Sequence, residues 1–108
     1  MRDNSTKASL STPRRRLIET MQRLNFGRIE GLEVRRGEPV FQPAPRIFQE
    51  IKIGGENGPR PEVDRQDFTL KGQVLEMLQH LDQINDGKVA VVHVQHGLPI
   101  RLTIEQPE

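Results

Sequence analysis

Apolar residues recur along this chain with two periods, and each period is used twice. Leu17, Ile18, Met21 and Leu24 fall at i, i+1, i+4 and i+7, one stripe of a 3.6-residue helix. Thr12-Pro13 supplies the start, because a threonine oxygen accepts from free first-turn N–H groups and proline suits the first helical position. Asn25 and Gly27 supply the stop. Beyond Gly27 the period becomes two: Glu30, Leu32, Val34 and Arg36 share one side of a strand, and Ile29, Gly31, Glu33 and Arg35 the other. Arg36-Gly37 makes a tight turn into a return strand led by Val40 and Phe41. Pro43 and Pro45, which lack ladder donors, interrupt that strand. Ile47, Gln49, Ile51 and Ile53 resume the alternation and predict a strand over residues 46–53.

Gly54-Gly55-Glu56-Asn57-Gly58-Pro59-Arg60-Pro61 breaks any element. A second helix follows, capped by Asp64 or Asp67, with Leu70, Val74, Met77, Leu78, Leu81 and Ile84 as its buried stripe. Gly72 within it costs about 1 kcal/mol against alanine and points to close packing there. Asn85-Asp86-Gly87 ends the helix. Ala90, Val92 and Val94 then alternate towards a turn at His96-Gly97. Leu98, Ile100, Leu102 and Ile104 alternate on the return strand against Pro99, Arg101, Thr103 and Glu105.

The two patterns are one pattern. Shifted by sixty residues, Leu17–Phe41 lies over Met77–Arg101 without a gap. Asn25, Gly27, Val34, Gly37 and Pro39 meet identical residues, and eight further pairs are conservative in these twenty-five positions. Repeats of this kind dictate architecture. The unit is helix, strand, turn, strand. One hairpin alone leaves its apolar face uncovered, so two copies must join strands and lay both helices across the shared face. The expectation is an α+β two-layer sandwich: an antiparallel sheet of four to five strands under two helices, with an internal αββ duplication and a pseudo-two-fold axis. Residues 1–11 are expected to be a flexible tail. Residues 12–108 form a single domain of two repeats, about 12–53 and 64–106, joined by a 54–63 loop.

Asn25-Phe26-Gly27-Arg28-Ile29 through Gly37, then Gln49-Glu50-Ile51-Lys52-Ile53, with Asp86-Gly87-Lys88-Val89 through Gly97 as a later copy, resembles the short bacterial YezD-like proteins. Those proteins look like a single such unit and have no assigned activity. The match covers about half the chain. Gln42-Pro43-Ala44-Pro45 and the Gly54–Pro61 loop depart from it. The resemblance implies the fold and a bacterial origin, and it carries over no catalytic or binding residue.

Composition adds boundaries. At 108 residues the chain suits one small domain. It has no cysteine, which excludes disulfides, thiolate metal sites and a cysteine nucleophile and fits a reducing cytoplasm. No apolar run reaches the roughly 18 residues of a membrane helix, and the first residues lack the apolar core of a signal peptide. A cytoplasmic protein without membrane contact is expected. Net charge is +1, but residues 1–60 carry twelve basic against seven acidic groups and residues 61–108 four against eight. A basic half attracts polyanions, or pairs with an acidic half of its own or another copy.

Chemistry is sparse. His80, His93 and His96 are the only imidazoles; on a strand, positions 93 and 96 face opposite ways, and solvent-facing histidine is the expectation, with no metal and no cofactor. The glycine-rich loop lacks the Gly-Lys-Ser/Thr ending of a phosphate loop. Ser5, Ser9 and Ser11 lie in the tail, where nothing fixes the geometry a nucleophile needs. No carboxylate pair stands out for acid–base work. A non-catalytic interaction or structural module is therefore expected, through self-association or an unknown protein partner, with exposed strand edges as docking elements. Glu56, Asn57 and Arg60 in the loop, and Arg35 and His96 at the related turns, are its candidate contacts. The alternative is a nucleic-acid or anionic-ligand binder using Arg14, Arg15, Arg16, Arg35 and Arg36. The chain has no Trp or Tyr. Its four phenylalanines, Phe26, Phe41, Phe48 and Phe68, are expected in the core, leaving no stacking platform for bases.

Overall fold

The computed structural model describes residues 10–54 and 72–105. Chain order is α1 (Thr12–Leu24), β1 (Gly27–Arg35), β2 (Glu38–Val40), β3 (Arg46–Gln49), α2 (Gly72–Ile84), β4 (Gly87–Gln95) and β5 (Leu98–Thr103). The strands form one five-stranded antiparallel sheet in the order β2-β1-β4-β5, with β3 also on β1. The chain is an α+β two-layer fold.

Helix α1 begins one residue earlier than Thr12 as a cap would place it. Ser11 is the cap: its Oγ accepts from the Arg14 N–H at 3.4 Å and donates to Glu38 Oε1 at 2.6 Å. Leu10 packs against the core, so the ordered body reaches into the segment expected to be tail. Both helices stop on an asparagine with positive φ, Asn25 at 64° and Asn85 at 63°. Each asparagine N–H closes the last turn, on Met21 O and Leu81 O at 3.0 Å. Both hairpins turn through two positive-φ residues, Arg36-Gly37 and His96-Gly97, the two-residue turn whose twist suits paired strands.

Among the described residues fourteen apolar side chains are buried, seven from each half. Six of the seven sit at the sixty-residue spacing: Leu17/Met77, Ile18/Leu78, Met21/Leu81, Ile29/Val89, Leu32/Val92 and Val34/Val94. The register of the central pair is reciprocal in the same way, with Gly27 opposite Val94 and Val34 opposite Gly87. The core is aliphatic. Phe26, Phe41 and Phe48 are only partly covered, contrary to their expected place inside, because the helix stripes and inner strand positions already fill the layer with Leu, Ile, Val and Met. Phe68, the caps Asp64 and Asp67, Leu70 and the Gly55–Pro61 part of the loop lie outside the described residues.

Three details differ from the simple alternation. In β1 the buried positions are Ile29, Leu32 and Val34, and in β4 Val89, Val92 and Val94. Each inner strand therefore holds two consecutive residues, Glu30-Gly31 and Ala90-Val91, off the buried face, which brings Ile29 and Val89 into the core. In β5, Pro99 faces Val94 but Arg101 faces His93. Ile100 is the additional residue of a β-bulge, and it is 42% exposed rather than part of the inner row. The strand expected over 46–53 ends at Gln49, because its partner ends: Gln49 opposes Gly27, the first residue of β1. Ile51 and Ile53 run past it into solvent at 61% and 92% exposure. A Cβ on Gly72 would meet nothing within 4 Å, so that glycine serves no close packing.

Candidate functional site

The two return strands differ most, and that difference makes the site. In the first half the chain leaves the sheet after Val40 and rejoins it at Arg46. Within that excursion Phe41 packs against the core, and the Arg16 guanidinium lies 4.3 Å from its ring centre. The contact links α1 to the chain just past β2. In the second half the only excursion is the Ile100 bulge. Glu76 stands at the position of Arg16, sixty residues on, and Arg101 at that of Phe41. A groove of about 250 Å³ remains between α2 and β5, lined by Gln73, Glu76, Met77, His80, Ile100 and Leu102 among others. Met77, Leu102 and Ile104 form its apolar floor, and polar groups line the greater part of it. Its rim is polar: His80 Nε2 lies 4.0 Å from Glu76 Oε2, and Gln73 Nε2 donates to Pro99 O at 3.2 Å.

Beside the groove, β5 ends the sheet. It pairs with β4 on one side, and among the described residues no strand pairs with its other side. Unpaired edge N–H and C=O groups are a template for a further strand. On the sheet face away from the helices, His93 Nε2 is 3.4 Å from the Thr103 hydroxyl, and His93 sits in register between Arg28 and Arg101.

The expected contact residues are dispersed. Glu56, Asn57 and Arg60 lie outside the described residues. Arg35 and His96 belong to turns at opposite ends of the β1–β4 pair, separated by roughly 33 Å of strand. Arg35 Nη2 is 3.3 Å from Glu33 Oε1, and the His96 ring stands edge-on to Phe26 at 4.9 Å.

The arginine set is brought partly together, for an internal purpose. Arg14 donates to Gly37 O at 3.0 Å, forms a short ion pair with Asp82, and places Nε 3.7 Å from Glu38. The Arg36 N–H donates to Asp86 Oδ1 at 3.0 Å. Thus Arg14, Arg35 and Arg36 meet at one end of the sheet, interleaved with Glu38, Asp82 and Asp86, while Arg16 is stacked on Phe41. Arg15 is half-buried on α1. Arginine here braces α1 to α2 and to the β1–β2 turn. Sequence reading missed this role for Arg14, although its counterpart Val74 marks the position as inward-facing. It also missed the groove, whose only trace is the exchange of Arg16 and Phe41 for Glu76 and Arg101.

No protein-family model, curated protein or solved structure matches the chain. Among the described residues no helix is long and apolar enough to cross a membrane.

Proposed function

We propose that the protein is a small non-catalytic interaction module whose contact surface is the β5 edge together with the α2–β5 groove. One observation carries this reading: in the first half Phe41 and Arg16 join α1 to the chain just past β2, whereas in the second half a groove stands open between α2 and β5, beside the outer edge of β5. Main-chain groups of the edge supply affinity to an added strand, and a groove beside it selects side chains. The arginines of the alternative, anion-binding reading are largely committed to Asp82, Glu38, Glu33 and Phe41, which weighs for the interaction module. We also infer that the two αββ halves arose by duplication, that the chain is kin to the short bacterial YezD-like proteins, and that it works in the cytoplasm. The recurring elements and the absence of cysteine support these readings.

A photo-reactive side chain at Ile100 tests the surface, with one at Arg35, at the far end of the sheet, as control. Adducts formed in native extract or in pure protein from position 100 but not from position 35 support the proposal. Equal labelling from both, or none from either, refutes it.

A further inference from the structure

Resting on that reading, we infer that the strand added to β5 is β5 of a second copy, the two running antiparallel about a two-fold axis at Thr103. Residues 101–105 read Arg-Leu-Thr-Ile-Glu. Laid against itself around Thr103, this segment sets Arg101 opposite Glu105 of the second copy, Leu102 opposite Ile104, and Thr103 opposite Thr103. Opposite charges, apolar pairs and threonine pairs each stabilise neighbouring strands, and like charges in those places oppose pairing. A two-fold axis makes every unlike pair occur twice.

The pleat sorts these pairs correctly. Leu102 opposes Val92, a core residue, so it lies on the helix side. Together with Ile104 it lines the groove beside Met77, and a second pair from the other copy would continue that apolar floor. Arg101 opposes His93 and Thr103 opposes Val91, which places them on the open face, with Arg101 also bordering the groove; pairing carried past the end of β5 through Ile104 would put Glu105 on the same face. Arg101 and Glu105 are exposed, and among the described residues neither has an ion-pair partner. The Ile100 bulge lies just outside the five residues; Arg101–Thr103 are regular strand, and Ile104 and Glu105, which follow β5, would be drawn into the ladder by the second copy.

The other edge makes a useful contrast. Arg46-Ile47-Phe48-Gln49-Glu50 also sets an arginine opposite a glutamate, but it places Ile47 against Gln49. Its groups are committed within the molecule. Arg28 lies over Phe48 at 4.3 Å with its Nη1 3.7 Å from Glu50, and Gln49 Nε2 donates to Leu24 O at 3.4 Å. Self-pairing therefore belongs to β5.

Sedimentation equilibrium on the full chain tests this. The parent should dimerise, and Arg101→Glu or Glu105→Arg should each raise the dissociation constant about tenfold or more, since each reversal puts like charges together at two symmetric places. Arg101→Glu combined with Glu105→Arg should restore dimerisation to within a few-fold of the parent. Both positions are exposed, so thermal unfolding at a concentration where each protein is monomeric should be unchanged. A parent that stays monomeric to about 1 mM, or a double reversal no better than the singles, overturns the inference. If the parent is monomeric while position 100 still labels another protein selectively, the second copy is refuted and the interaction module stands; silence in both experiments refutes both.

Discussion

At position 14 the first half carries an arginine, and sixty residues on the second half carries Val74; at position 22 it carries a buried glutamine, and the second half carries Asp82. The exchange is coupled. Arg14 reaches across to Asp82, ties the β1–β2 turn through Gly37 O and meets Glu38. Val74 simply joins the apolar layer at 3% exposure. One corner of the molecule is therefore held by directed, charge-assisted bonds and the other by undirected burial. A charge-assisted hydrogen bond fixes geometry as well as energy, so the Arg14 corner is the stiffer one. The groove, by contrast, belongs to the second half, whose return strand has neither the Phe41 ring nor a cation over it, although each half ends in an edge strand. The ring–cation contact was built into one half and left out of the other.

Four experiments tell the halves apart. The largest effect belongs to the parts the halves share: Val34→Asp and Val94→Asp each bury an unpaired charge among aliphatic side chains and should cost about 4 kcal/mol or more, read by urea denaturation. If one is tolerated, the inner face is not equally essential on both sides. Next comes a paired glycine. A Cβ on Gly27, at φ +154°, would sit 2.0 Å from the Phe48 carbonyl oxygen, whereas on Gly87 it would only touch Ile84 Cγ2 at 3.0 Å. Gly27→Ala should therefore lose about 3 kcal/mol and Gly87→Ala less than about 1 kcal/mol; equal losses would mean β3 does not press on β1 as described.

A smaller effect separates the two corners. Arg14→Val, which copies the second half, should cost about 2 kcal/mol, chiefly by leaving the part-buried Gly37 O without its donor. Combined with Asp82→Gln it should be less than additive by about 1 kcal/mol; strict additivity in a double-mutant cycle would dissolve the proposed brace. The smallest effect is a gain. Gly72→Ala adds a methyl group in open space on a helix and should stabilise by about 0.5 kcal/mol, a shift of a few degrees in Tm.

Periodicity showed most of this fold before any coordinate did. The stripe at Leu17, Ile18, Met21 and Leu24, its copy at Met77, Leu78 and Leu81, and the glycine turns are local signals, and local signals survive in a sequence. What failed was what depends on a neighbour. The end of β3 is set by where β1 begins, not by the continuing alternation of Ile51 and Ile53. The bulge at Ile100 and the paired off-face residues in β1 and β4 arise from register, which single-strand patterns do not encode. The candidate site was less legible still. Arg14 looked like one cation among three, and only the fold reveals that it points inward. The groove is a missing side chain, and it becomes visible only when the halves are set against each other.

The two hairpin turns are each fastened to the far half: the Gly37 N–H donates to Asn85 O at 2.9 Å, and the Gly97 N–H donates to Asn25 O at 3.0 Å. Neither bond can tell whether its acceptor sits on the same chain. A lobe supplied in trans would latch onto a waiting lobe through the identical pair of contacts. Because the two lobes belong to one chain, each meets the other at a high local concentration. Shortening or cutting the connection between them should steer the molecule towards exchange of lobes between neighbours.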